Sequence, residues 1–400
     1  MIDARRLLAD PTLDAERRSD GRNVDRGVGT LSGEGAQQRV ERLRAPPAAP
    51  ERALAVDERD GPTYHGLPVL KAPVWTWEIP AYFFTGGLAG AAGVLGAAAQ
   101  VAGGPAMRPL VRRCRLVAAG GAVASAALLV DDLGRPSRFL NMLRVFRPTS
   151  PMNMGTWVLS GFGALSGAAA ASALLPLPRP LRAMADGAGL AAGVLGLPLV
   201  GYTGVLLANT AVPVWQGTRR SLPVLFAFSG AASAGALFEI WPPPGPGAAV
   251  ARRLGVLSTA LELALSIATE AEAALVPRVA RPLRRGPSAL LFRAGQVLAA
   301  ASLGTALRAP RGVGRLLRPG RKSRLHALSG VFGILGTLAI RFGIVAAGRA
   351  SARDPLATFR QQRAGMGARE VLPERGEPRM PTLPGVEPTG KDTSQHGLSP

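Results

Sequence analysis

The chain has 400 residues, of which 47% are hydrophobic, and 50 Gly and 35 Pro accompany only 5% aromatics. Its mean hydropathy of +0.18 excludes an ordinary soluble domain and points to helices packed in a bilayer, where small residues let backbones approach closely. The net charge of +21 does not mark a nucleic-acid binder, because residues 71–349 carry 29 basic and 8 acidic side chains while residues 1–70 (11 and 12) and 350–400 (7 and 6) are nearly balanced.

Residues 1–70 are polar and charged and read as a largely disordered tail. No cleavable signal is read in them, since the first apolar run begins only near residue 79. Eight apolar runs follow, over about 79–103, 116–133, 154–175, 187–208, 222–241, 254–276, 288–307 and 325–347. Each approaches the roughly 20 residues that cross a hydrocarbon core. Basic loops separate them, among them Arg112-Arg113-Cys114-Arg115 and the stretch Arg278 to Arg285. Charges of this kind sit at helix ends and can draw anionic lipid. Small-xxx-small spacings at Gly86/Gly90, Gly163/Gly167 and Gly189/Gly193 suit helix contacts. From residue 350 to 400 the chain turns polar again and reads as a second disordered tail. The fold class is therefore all-α and integral to the membrane, with about eight transmembrane helices in residues 71–349 and the expected location a cell (inner or cytoplasmic) membrane. An even number of spans puts both tails on one side. Loops opposite the tails hold more basic residues than loops on the tail side, and basic residues of the tails near the helix ends nearly erase the difference, so the orientation stays undecided with a slight lean to tails outside.

One cysteine, Cys114, and three histidines, His65, His326 and His396, leave no set of ligands for an iron–sulfur cluster or a haem in this chain. Chemistry is then sought in ionisable and phenolic groups inside the membrane, which are costly there. Glu78 and Tyr82 lie four apart on one face of the first helix, beside Trp75 and Trp77. A carboxylate next to a phenol suits a quinone oxygen and its proton; the alternative is an interfacial aromatic belt with Glu78 in water. Asp131-Asp132-Leu133-Gly134-Arg135-Pro136-Ser137-Arg138-Phe139 closes the second helix, as a proton entry, a buried ion-pair network or a loop salt bridge. Tyr202 sits late in the fourth helix, where its hydroxyl needs a partner. Glu262 lies inside the sixth helix and has Arg293 and Arg341 as candidate partners. His326, opening the eighth, reads as interfacial.

Several stretches, in order, resemble the NrfD/polysulfide-reductase family of membrane subunits. They are Trp75-x-Trp77-Glu78-Ile79-Pro80-Ala81-Tyr82-Phe83-Phe84, Asp132-Leu133-Gly134-Arg135-Pro136-Ser137-Arg138-Phe139, Pro148-Thr149-Ser150-Pro151-Met152-Asn153-Met154-Gly155-Thr156-Trp157, and Tyr202-Thr203-Gly204-Val205-Leu206-Leu207 with Val212-Pro213-Val214-Trp215. The resemblance covers about residues 63–349, most specifically in the first half. It implies two four-helix bundles and a quinone pocket, for menaquinone or ubiquinone, at one membrane face. It also implies two partners, a ferredoxin-like iron–sulfur subunit and a molybdopterin catalytic subunit, and the stretches Ala72-Pro73-Val74-Trp75 and Glu78-Ile79-Pro80-Ala81-Tyr82 resemble members associated with formate-dehydrogenase-like partners. The family's pocket Asn and His fall on Ile79 and Tyr82 here, whereas its Tyr is kept as Tyr202. The residues expected to act are Tyr202, Tyr82, Glu78 and Asp132, with Trp77 and Arg135 helping to hold the quinone. The competing reading is an ion- or proton-translocating module without quinone, its pathway formed by Glu262, Arg293 and Arg341.

Overall fold

A computed structural model describes residues 69–134, 136–308 and 321–364. The tail expected over 1–70 lies outside them except at its last two residues. The chain forms α1 (Glu78–Ala102), a 3₁₀ turn (Pro105–Met107), α2 (Arg108–Leu133), α3 (Pro136–Met142), α4 (Pro151–Leu174), α5 (Arg179–Ala208) and α6 (Pro213–Gly217), then α7 (Leu222–Ile240), α8 (Gly247–Ala273), α9 (Pro277–Arg284), α10 (Pro287–Arg308), α11 (Arg321–Ala352) and α12 (Pro355–Arg363). No strand occurs among the described residues. Eight of the helices (α1, α2, α4, α5, α7, α8, α10 and α11) are long and apolar enough to span a bilayer, and the chain is a multi-pass membrane protein. A helix satisfies its own backbone polar groups, which lipid cannot do.

The spans form two rings of four. In the first, α1 packs on α2, α2 on α4, α4 on α5 and α5 on α1; in the second, α7 packs on α8, α8 on α10, α10 on α11 and α11 on α7. The rings meet where α1 and α5 pack against α7 and where α1 packs against α11. Because spans alternate in direction, α1 begins and α11 ends at the same face, termed the near face below.

Small residues set the closest crossings. A Cβ at Gly90 of α1 would stand 2.9 Å from the Gly196 carbonyl oxygen of α5, and Gly235 of α7 lies against Gly255 of α8. Of the spacings read from sequence, Gly163/Gly167 does not make such a crossing: Gly167 has open space where its side chain would be. Outward positions carry the large aliphatics, Val123, Leu197, Leu257 and Val297 among them, because lipid accepts them as readily as a core does.

The basic clusters are helical rather than loops. Arg112, Arg113 and Arg115 lie in the first turns of α2, and Arg278 to Arg284 lie in α9. Long basic side chains bury their stems and carry the charge to a partner. Arg113 donates to the Trp241 carbonyl at 2.5 Å and stacks on its ring. Arg115 donates to Asp186 (2.6 Å), Gln100 (2.9 Å) and Ser172 (2.7 Å), tying α2 to α5, α1 and α4. The chain also stays ordered past residue 350, where a disordered tail was expected to begin. Ser351, Ala352, Ala357 and Thr358 are buried, and Asp354 receives two bonds from Arg278. Those local contacts hold α12 in place even though its sequence is polar. Residues 365–400 lie outside the described part.

Candidate functional site

At the near face, inside the first ring, five helix segments enclose a cavity of about 290 Å³. Each contributes residues three or four apart, which share a helix face. From α1 come Ile79, Tyr82 and Phe83, and from the end of α2 come Leu129, Asp132 and Leu133. α3 supplies Arg138 and Met142, α4 Met152 and Thr156, and α5 Tyr202 and Leu206. Trp75, just before α1, closes the wall; it meets Phe83 edge-on (6.3 Å) and stacks on Trp215 (5.4 Å, 17° between planes).

Local sequence builds this enclosure. Gly134 caps α2 in the left-handed conformation (φ 74°), which glycine adopts without strain, and the reversal lays α3 across the cavity. Asn153 secures the returning loop: its amide donates to the carbonyls of Met142 (2.7 Å) and Val145 (2.9 Å), and its oxygen accepts from the Arg147 N–H (2.7 Å). Ser150 caps α4. Two residues beyond Asn153, Gly155 leaves the space that the Tyr202 ring occupies. The Tyr202 hydroxyl donates to the Pro151 carbonyl at 2.5 Å, so its oxygen is left as an acceptor. The Tyr82 hydroxyl is in no hydrogen bond among the described residues, although the residue is only 4% exposed. The cavity thus has apolar and aromatic walls, one uncommitted phenolic donor, one phenolic acceptor, and the carboxylate of Asp132 with the guanidinium of Arg138.

Of the residues expected from sequence, Tyr82, Tyr202 and Asp132 come together in this cavity. Glu78 does not line it; it is buried (3% exposed), which also overturns its reading as a water-exposed belt residue. Trp77 is 60% exposed and stands off the cavity, because it precedes the first turn of α1 and the cavity face begins at Ile79. Arg135 lies outside the described residues. Sequence reasoning left unassigned Trp75, Phe83, Arg138, Thr156 and the loop-fixing Asn153. The run Met152-Asn153-Met154-Gly155-Thr156 held the signal for two of them, since its spacing of four between Met152 and Thr156 already marks one helix face.

In the second ring Glu262 has Arg341, not Arg293, as its charge partner, although the two are not hydrogen-bonded. Arg293 bonds Glu270 at 2.7 Å, one helix end away. Arg341 donates to the carbonyls of Phe83 (2.6 Å) and Phe226 (3.0 Å), bridging the rings. His326 is buried against Glu239 rather than interfacial (Nδ1 to Oε2, 2.5 Å).

Together these features define a multi-pass helical membrane protein, with eight candidate spans among the described residues and an amphipathic, ring-sized cavity near one face. Residues 69–241 match the family model described as polysulphide reductase, NrfD, so over that stretch the chain is similar to NrfD-type membrane proteins. The match takes in the whole first ring and α7. No curated protein matches the sequence.

Proposed function

We propose that this chain is the quinone- or quinol-binding membrane subunit of a molybdopterin-type oxidoreductase, exchanging electrons with a ferredoxin-like iron–sulfur subunit docked at the near face. The observation that carries the reading is the uncommitted Tyr82 hydroxyl in an apolar cavity that also holds Tyr202. Pockets of a few hundred Å³ with aromatic walls and a few polar groups are the usual form of a small-molecule site, and a buried phenol without a partner favours a ligand that accepts its hydrogen bond. A bound menaquinone or ubiquinone head group supplies two-electron, two-proton chemistry. The chain's own residues bind it and handle the protons. Tyr82 donates to one ring oxygen. Tyr202, its hydrogen held by Pro151, accepts from a protonated ring oxygen. Trp75 and Phe83 pack on the ring and exclude water, and Asp132 takes up or releases protons at the rim.

The proposal is tested by purifying the native assembly through a tag on this chain. A co-eluting iron–sulfur polypeptide, together with reduction of quinone or oxidation of quinol by the assembly, supports it. An assembly with no such polypeptide and no quinone activity contradicts it.

Gly155→Ala gives a local check. The added methyl displaces the Tyr202 ring, breaks its bond to Pro151 and fills part of the cavity. Affinity for a quinone analogue is expected to fall about tenfold, near 1.4 kcal/mol, as read by titration of the purified assembly. Unchanged affinity would show that Tyr202 does not shape the binding space.

A further inference from the structure

Three short helices close the near face of the second ring. α6, α9 and α12 pack on one another and on α11, and α9 also rests on α8 and α10. Val279, Ala280 and Leu283 form the inner side of α9 and are buried. Two side-chain links fasten the cap. Arg278 holds Asp354, which precedes α12, at 2.6 Å, and the Gln361 amide donates to Gln216 of α6 at 2.5 Å. With neighbours on several sides, α9 lies over the end of the bundle. Its outer side faces water along the bundle axis rather than lipid at the bundle's edge.

That outer side is cationic. Among the described side chains, ten arginines lie on this half of the near face against three carboxylates, those of Glu270, Glu272 and Asp354. Each carboxylate is already engaged. Glu270 takes Arg284 (3.0 Å) and Arg293 (2.7 Å). Asp354 takes Arg278, and Glu272 accepts from the backbone N–H groups of Arg220 (3.1 Å) and Ser221 (2.9 Å). Arg220, Arg281, Arg285, Arg353 and Arg360 are exposed, and their side chains are in no ion pair among the described residues. Arg353 lies close enough to Arg349 for the two to repel. A patch of one sign repels itself and steers in a partner of the other sign.

We propose that the outer face of this cap seats an acidic surface of the iron–sulfur subunit, held by Asp and Glu side chains that pair with these arginines; the proposal rests on the quinone reading above. Guanidinium groups suit the role, since they engage carboxylates through two parallel hydrogen bonds and are enriched where proteins meet. Anionic lipid is the poorer occupant, because headgroups surround the bundle's edge while α9 lies over its end. The seat also adjoins the cavity. Trp215 belongs to α6 and stacks on Trp75 of the cavity wall (5.4 Å), so a polypeptide resting on the cap stands beside the quinone site.

The test purifies the native assembly through a tag on this chain and follows the iron–sulfur polypeptide by its visible absorbance, with salt raised from about 0.05 to about 0.5 M to screen exposed charges. Wild type is expected to hold the polypeptide at low salt and to release it progressively as salt rises. The double variant Arg281→Glu/Arg285→Glu is expected to retain at least about tenfold less at the lowest salt, since like charges set face to face oppose docking, while its size-exclusion profile and helical circular dichroism match wild type. A well-folded double variant that retains the polypeptide like wild type at every salt overturns the proposal and leaves the quinone reading standing. If that variant keeps the polypeptide but loses co-purifying anionic lipid, the face belongs to headgroups and the proposal is likewise overturned. A wild-type assembly without any iron–sulfur polypeptide overturns both. Should the double variant fail to fold, Arg353→Glu, which relieves the repulsion with Arg349, is read in its place, and wild-type retention by it has the same force.

Discussion

Tyr82→Phe is expected to lower quinone turnover by the purified assembly about 10- to 100-fold while leaving its thermal stability unchanged. The split follows from the hydroxyl's situation. It makes no hydrogen bond among the described residues, so its removal takes nothing from the folded protein. With ligand present it donates to an oxygen on which negative charge grows, and hydrogen bonds to charged groups are worth about 1.5–3 kcal/mol, the size of a loss of 10- to 100-fold. Tyr202→Phe contrasts with it. That hydroxyl donates to Pro151, so its removal is expected to destabilise the protein by about 1 kcal/mol in addition to slowing turnover. Steady-state kinetics and melting curves on the two variants read both quantities. Equal melting shifts in the two, or full turnover in Tyr82→Phe, would contradict the assignment of donor and acceptor.

Trp215→Ala is expected to have the largest effect on stability, about 3–5 kcal/mol, seen as a marked drop in melting temperature in detergent. The Trp215 side chain is fully buried, donates to the Ile344 carbonyl of α11 at 2.9 Å, and fills the notch left by Gly348, where any side chain would overlap its ring. The indole also backs Trp75, with which it stacks. Its loss therefore loosens the cavity wall as well as the seam between the rings, and quinone affinity is expected to fall with stability. A melting shift of only a degree or two would mean that the ring is not structural.

The eight spans were legible because lipid demands long apolar helices, and that demand is written in the apolar runs themselves. Their ends were less so. α2 begins at Arg108 rather than near 116, and α8 at Gly247 rather than near 254, since a helix continues past the hydrocarbon wherever basic side chains find carbonyl or carboxylate partners, and those partners are distant in sequence. α12 was hidden for the same reason: it is polar, and its hold on the molecule is the pairing of Arg278 with Asp354, 76 positions apart. Within the cavity, Tyr82, Tyr202 and Asp132 stood out as polar groups in apolar helices. The confusion of Trp77 with Trp75 came from the start of α1. Trp75 belongs to the extended segment that folds back over the cavity, and no helical spacing applies to it. Glu78 shares a side of α1 with Tyr82 but sits one turn nearer the surface, beyond the cavity's edge. That Arg341 rather than Arg293 is the charge partner of Glu262 could not be read, because the several arginines and glutamates of adjacent spans allow more than one match, and only the depth of each in the membrane separates Arg293 from Arg341.

The central claim is that a quinone head group lodges between Tyr82 and Tyr202 at the near face. Photolabelling the native assembly with an azido-quinone and mapping the adducts tests it most directly. Saturable labelling that unmodified quinone suppresses, confined to peptides containing Trp75 to Phe83, Met152 to Thr156 or Tyr202 to Leu206, is the result expected. Labelling that does not saturate, or that falls only on helices of the second ring, would contradict the account.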